Sequence, residues 1–123
     1  MGAQPLRIKE PFGTCVVSGE EVTVTPPHGL FSSRQYSFDR SRQLATITDR
    51  RLAVFSSKKS VEFPHISFGI SQRVGAAYCI DMFCQMPNQA LRVYELTGYT
   101  DSPNRLVEMK AAITNGTGID RWE

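Results

Sequence analysis

The residues that could carry chemistry are few and scattered. His28 follows two prolines in a loop, and His65 follows Pro64 beside a strand. A metal site needs further Cys, His or acidic ligands at short, recognisable spacing, and neither histidine has them in sequence, so no metal is expected. Cys15, Cys79 and Cys84 lack the surroundings of an activated nucleophile, which requires a base and a group to orient that base. Their odd number and irregular spacing do not make a disulfide framework, and Cys79 and Cys84 on one strand project to opposite faces. They read as small apolar fillers in a reducing compartment. Glu20 and Glu21 are adjacent and point apart when extended, which suits a solvated turn better than acid–base work. Asp81 is the exception. It lies among apolar residues, so a buried carboxylate there needs a partner or a raised pKa, and Arg73 or Arg92 can supply the partner. Ser67-Phe68-Gly69-Ile70 and Gly116-Thr117-Gly118 lack the spacing or the following helix of a phosphate loop. No catalytic residue and no cofactor is expected, and the chain reads as a non-enzyme.

Charge gives a clearer lead. The net charge is +2 over 123 residues, too small to imply nucleic acid. Yet residues 34–59 hold seven basic side chains against Asp39 and Asp49, a local +5, while the rest of the chain sums to −3. Arg40, Arg42, Arg50, Arg51, Lys58 and Lys59 are therefore the candidate binding residues, for an anionic membrane surface or a protein partner. The plainer reading is that hairpin tips and exposed strand faces carry charge for solubility.

Positioning these residues falls to one domain, since 123 residues with 41% apolar content can bury a single core without staples. No apolar run approaches the roughly 18 residues of a membrane span. The start, Met1 to Leu6, has neither the basic and apolar regions of a signal peptide nor the hydroxyl residue of a myristoylation site. A cytoplasmic protein, peripheral at a membrane if attached to one, is expected. Asn115-Gly116-Thr117 fits a glycosylation triplet but reads better as a helix end.

Short segments separated by turn residues point to an all-β sandwich or barrel. Strands are expected over Thr14–Ser18, Glu21–Thr25, Arg34–Phe38, Leu44–Thr48, Leu52–Ser56, Val61–Ile70, Arg73–Gln85 and Leu91–Leu96. Asp49-Arg50 is expected to turn, and Ser57–Ser60 to form a loop. Arg73–Gln85 is apolar on both sides, as in a central strand. The period then changes. Ser102 can cap a helix with Pro103 at its first position, Leu106, Met109, Lys110 and Ile113 follow at helical spacing, and Asn115-Gly116 can end it. Ile119 and Trp122 can tuck the tail back. Residues 1–13 and 120–123 are expected to be flexible or loosely packed ends around a core of 14–119.

Three segments then suggest a family. Tyr36-Ser37-Phe38-Asp39-Arg40-Ser41-Arg42-Gln43-Leu44 resembles a hairpin of bacterial pleckstrin-homology-like domains. Val61-Glu62-Phe63-Pro64-His65-Ile66 resembles their later segment, which runs through a proline into a strand. Leu91–Leu96, a turn and a capped helix resemble the closing strand and helix. The resemblance spans Thr14 to Ile119 and implies a mainly β fold, a small barrel or sandwich of about seven strands capped by one C-terminal helix. It also implies a non-enzymatic binding module. Phosphoinositide-binding members carry basic residues between the first two strands. Here that turn is Gly19-Glu20-Glu21, so an inositol phosphate ligand is not implied. The alternatives are a small barrel holding an apolar ligand, prompted by the two-sided apolar stretch 73–85, and a structural homo-oligomer pairing through that stretch.

Overall fold

Val22 and Val24, Tyr36 and Phe38, and Ala45 and Ile47 each put two apolar side chains on one face of a strand, because side chains alternate. The chain pairs these strands so that the rows coincide: Val22 lies opposite Phe38 and Val24 opposite Tyr36, while Tyr36 lies opposite Ile47 and Phe38 opposite Ala45. All six are buried. A computed structural model describes residues 5–27, 29–52 and 55–123 of the protein. Around that central row the strands are β1 (Leu6–Glu10), β2 (Gly13–Ser18), β3 (Glu21–Thr25), β4 (Ser32–Asp39), β5 (Leu44–Arg51) and β6 (Phe55–Glu62). They form one antiparallel sheet in chain order. A 3-10 turn at Phe63–His65, with Pro64 early in it, redirects the chain into a second antiparallel sheet. That sheet comprises β7 (Ile66–Arg73), β8 (Ala77–Cys84) and β9 (Arg92–Glu95). Phe38, Phe63 and Phe68 meet edge-on or tilted between the sheets, with ring centroids 5.8–6.3 Å apart.

One helix follows the strands. The Ser102 hydroxyl accepts from the Asn104 amide, and Pro103 opens a 3-10 turn that runs into α1 (Val107–Thr117). Leu106, Met109, Ala112 and Ile113 are buried by it. The helix does not stop at Asn115-Gly116, as its sequence suggests. It continues to Thr117, and Gly118 takes the left-handed position at φ 78°. Gly116 is there for space: a Cβ on it would stand 2.3 Å from a methyl of Val22 and 3.3 Å from one of Val17. The helix therefore rests directly on β2 and β3.

Mainly β with one C-terminal helix is the architecture expected, but nine strands form among the described residues where seven or eight are read from sequence. Leu6–Glu10, counted among the loose ends, is paired with β2 along its whole length. The tail is tied as well. Trp122 bridges to Phe68, stacks on it at 5.1 Å and donates to the Thr114 hydroxyl at 2.8 Å. Arg121 bonds the Ile66 and Phe63 carbonyls. Asp49-Arg50 does not turn, because Asp49 sits opposite Arg34 inside β5 and bonds it. The reversal comes later, at Leu52 with φ 55°, and Ala53 and Val54 of the expected strand lie outside the described residues. Ser57–Ser60 is strand rather than loop. It is polar on both sides because β6 is an exposed edge. Arg73–Gln85 is two pieces, divided by a turn with Gly75 at φ 77°.

The Gly116 contact yields a measurable expectation. Gly to Ala in a helix ordinarily gains about 1 kcal/mol. Here Gly116→Ala should instead lose about 1–3 kcal/mol in urea unfolding, because the added methyl overpacks against Val22. A raised midpoint would show that the helix does not sit this close to β3.

Candidate functional site

The six basic residues singled out from sequence do not form one stripe. Arg40 and Arg42 occupy the β4–β5 turn. There Arg40 reaches the Asn115 carbonyl at 3.4 Å, and the Arg42 amide donates to Asp39 at 3.2 Å. Arg50 and Arg51 end β5, roughly 20 Å away along eight residues of strand. Lys58 and Lys59 lie on the neighbouring strand: Lys58 is opposite Thr48 and Lys59 opposite Ile47, three and four positions before the β5 end. By strand alternation Arg50 and Lys58 share the outer face, and Arg51 and Lys59 share the face that elsewhere covers the core. All four are exposed and form no ion pair among the described residues.

Arg34, the remaining basic residue of the segment, is fully engaged. Its Nε and Nη2 lie 2.5 and 3.1 Å from the two oxygens of Asp49, a bidentate pair across β4 and β5. Asp49 chiefly holds the guanidinium pKa above its ordinary value. The same guanidinium lies 5.7 Å from the Tyr94 ring centre. The Tyr36 hydroxyl, 3.5 Å from Arg34, donates to the Glu95 carbonyl at 3.2 Å and so ties β4 to β9. Burial raises the Tyr36 pKa, and Arg34 opposes that rise. Beside this network runs a groove of about 360 Å³, lined by Pro26, Ser32, Arg34, Arg50, Arg51 and Glu95 among others.

Sequence reading missed what surrounds the four free cations. The loop before β4 and the turn after β5 meet through a Leu52 amide to Phe31 carbonyl bond of 2.7 Å. At that tip Leu30 is 89% exposed, Phe31 and Phe55 66%, and Leu52 57%. The available signal was an apolar pair, Leu30-Phe31, inside an otherwise turn-like stretch.

Asp81 is buried, at 1% exposure, on the outer side of the second sheet. Arg73 is its partner, at 3.3 Å, and Arg92, the other candidate, is not. The Ser71 hydroxyl donates to the same carboxylate oxygen, and the Cys79 thiol to the other at 3.4 Å. Burial first, and then the Asp81 charge, push the Cys79 pKa up to about 12, so the sulfur stays protonated. Sulfur and carboxylate atoms of Cys79, Asp81 and Glu95 lie within 4.8 Å of one another, the one such potential ligand group among the described residues. His65 takes no part in it. His65 sits in the 3-10 turn, and His28 lies outside the described residues. Tyr99 donates to Glu95, and Ser71, Arg73 and Cys79 serve Asp81. This is the arrangement of a satisfied buried carboxylate.

No protein-family model, curated protein or solved structure matches the chain. Among the described residues no helix is long and apolar enough to cross a membrane.

Because Arg73 keeps water at its outer side, the two halves of its pair with Asp81 are unequal. Arg73→Ala leaves a buried anion short of a donor, whereas Asp81→Asn leaves a solvated guanidinium, so Arg73→Ala should be the more destabilising of the two. Chemical denaturation of the two variants checks the order. All three thiols are free and buried, with pKa values raised by burial to about 11, 12 and 11 for Cys15, Cys79 and Cys84. Thiol reagents at neutral pH should therefore modify none of them until the protein is unfolded.

Proposed function

We propose that the protein is a non-enzymatic binding module of pleckstrin-homology-like type that meets an anionic membrane surface with the free end of β5 and β6. Support for the family type is limited to element order: antiparallel strands in two sheets, then one closing helix. Support for the partner is one observation. Arg50 and Arg51 stand at the free end of the β5–β6 hairpin, Lys58 and Lys59 lie midway along the same hairpin, and the acid next to the arginines in the chain, Asp49, is taken by Arg34. Free cations gathered from both faces of a strand end present a positive field along the strand axis, which suits a planar anionic surface met end-on. Arg40 and Arg42 belong to the opposite end and are not part of this face. Attachment is reversible and peripheral in this reading. The stretch Arg73–Gln85, which prompts the apolar-ligand and self-pairing alternatives, is divided by a turn, and its two-sided character has an internal cause. Ile80 and Met82 fill the core on one side, and Cys79 and Asp81 close a polar network on the other.

Each basic residue near an anionic bilayer contributes on the order of 1 kcal/mol, so Arg50→Glu/Arg51→Glu/Lys58→Glu should weaken binding to phosphatidylserine vesicles by at least about 100-fold. Arg40→Glu/Arg42→Glu should change it little. High salt should release the wild type. Equal loss in both variants would reduce the effect to overall charge, and no vesicle binding by the wild type would move the partner to a protein.

A further inference from the structure

We infer that the β5–β6 end does not only rest on an anionic bilayer but inserts its apolar tip, Leu30, Phe31, Leu52 and Phe55, below the headgroups. This rests on the membrane reading above and adds depth and orientation to it. The four side chains come from two separate connections, held side by side by the Leu52 to Phe31 backbone bond and by the pairing of Ser32 with Arg51 and Arg51 with Phe55. Each of the four is more than half exposed. A contiguous apolar patch on a surface otherwise rich in charge marks a contact site. The surrounding charge selects the occupant. Arg50 and Arg51 stand immediately behind the tip, and Lys58 and Lys59 follow about 10 Å further along β6 from Phe55, at 3.3 Å per residue. That layering matches an anionic interface, in which apolar side chains lie about 5–10 Å deep at the acyl boundary and cations stay at the headgroups. The long stems of Arg and Lys allow the charged ends to remain there as the tip descends. The four unpaired cations behind the wedge favour an anionic interface over an apolar protein groove.

The test uses the full chain and vesicles of phosphatidylcholine and phosphatidylserine in equal parts, at about 0.15 M salt. Phe31→Ser/Phe55→Ser should lower vesicle affinity roughly tenfold or more, since each phenylalanine loses much of its apolar burial. Its thermal unfolding should match wild type, because both rings are outside the core. In parallel, Phe55→Trp should give emission that is quenched by lipids brominated on the acyl chain, beyond the wild-type background from Trp122. Serine substitution without loss of affinity and no quenching would overturn insertion while leaving the electrostatic reading intact. Failure of the wild type to bind these vesicles at all would overturn both. Self-association in sedimentation that the double serine variant removes would overturn insertion in favour of a contact between two copies.

Discussion

The pairing of β4 with β5 is the constraint on which the rest of the structure depends. Its register sets Tyr36 against Ile47 and Phe38 against Ala45, which closes the centre of the core, and sets Arg34 against Asp49 one step further out. A slip of one residue would turn Ala45 and Ile47 to solvent and bring Thr46 and Thr48 inward. It would also separate the ion pair. Apolar and ionic complementarity therefore select the same register. The ion pair is only partly buried, with about a third of each side chain exposed. Its contribution is better described as fixing alignment than as adding much stability, because pairs of such exposure are screened.

From this hairpin the second sheet takes its position. The Tyr36 hydroxyl reaches the Glu95 carbonyl, and Arg34 faces the Tyr94 ring, so two neighbouring residues of β9 are held by two residues of β4. At the other side of the second sheet the tail performs the same task for β7. Arg121 and Glu123 bond Phe68 through the backbone, and Trp122 covers its ring while Lys110 of the helix lies 4.9 Å above the indole. The helix is thus bound to the first sheet by the Gly116 contact and to the second by Trp122. Both of the second sheet's outer strands are secured by residues distant in sequence. Contacts of this kind supply stability late and ask for much chain ordering, as expected for a β-rich topology.

Alternation and turn chemistry made most of the strands legible in the sequence, and Ser102-Pro103 located the helix start. What was not legible has specific causes. Asp49-Arg50 looks like a turn because both residues are polar, yet Asp49 is polar in order to meet Arg34, a relation between strands that one-dimensional pattern cannot show. Ser57–Ser60 looks like a loop because an edge strand past the core has no buried side. Val74 and Ala76 keep the period of β8, so the turn between β7 and β8 reads as the start of that strand. Gly116 looks like a helix end because its composition fits one, and only the approach of Val22 reveals that it is needed for space. For the candidate site, the charges were legible and their grouping was not. Arg40 and Arg42 are near Arg50 and Arg51 in sequence but stand at the far end of the same strand, whereas Leu30 and Phe31, twenty residues earlier, are neighbours of Leu52.

Asp81 and the tip at Leu30, Phe31, Leu52 and Phe55 both depart from the ordinary rule that charge is outside and apolar surface is inside, and the two are resolved differently. Asp81 is a carboxylate inside, and it is resolved within the chain: three donors converge on its two oxygens, and its pair with Arg73 reaches water. That set of donors is what a buried carboxylate requires. The tip formed by Leu30, Phe31, Leu52 and Phe55 is apolar surface outside, and no described element covers it. Beside it stand four cations that no acid of the described chain pairs with. An apolar wedge alone would be equally served by any hydrophobic cleft, and free cations alone by any acidic surface. In the proposed reading both are met at once by a partner with negative charge at its boundary and hydrocarbon just beneath, the order of layers of an anionic bilayer.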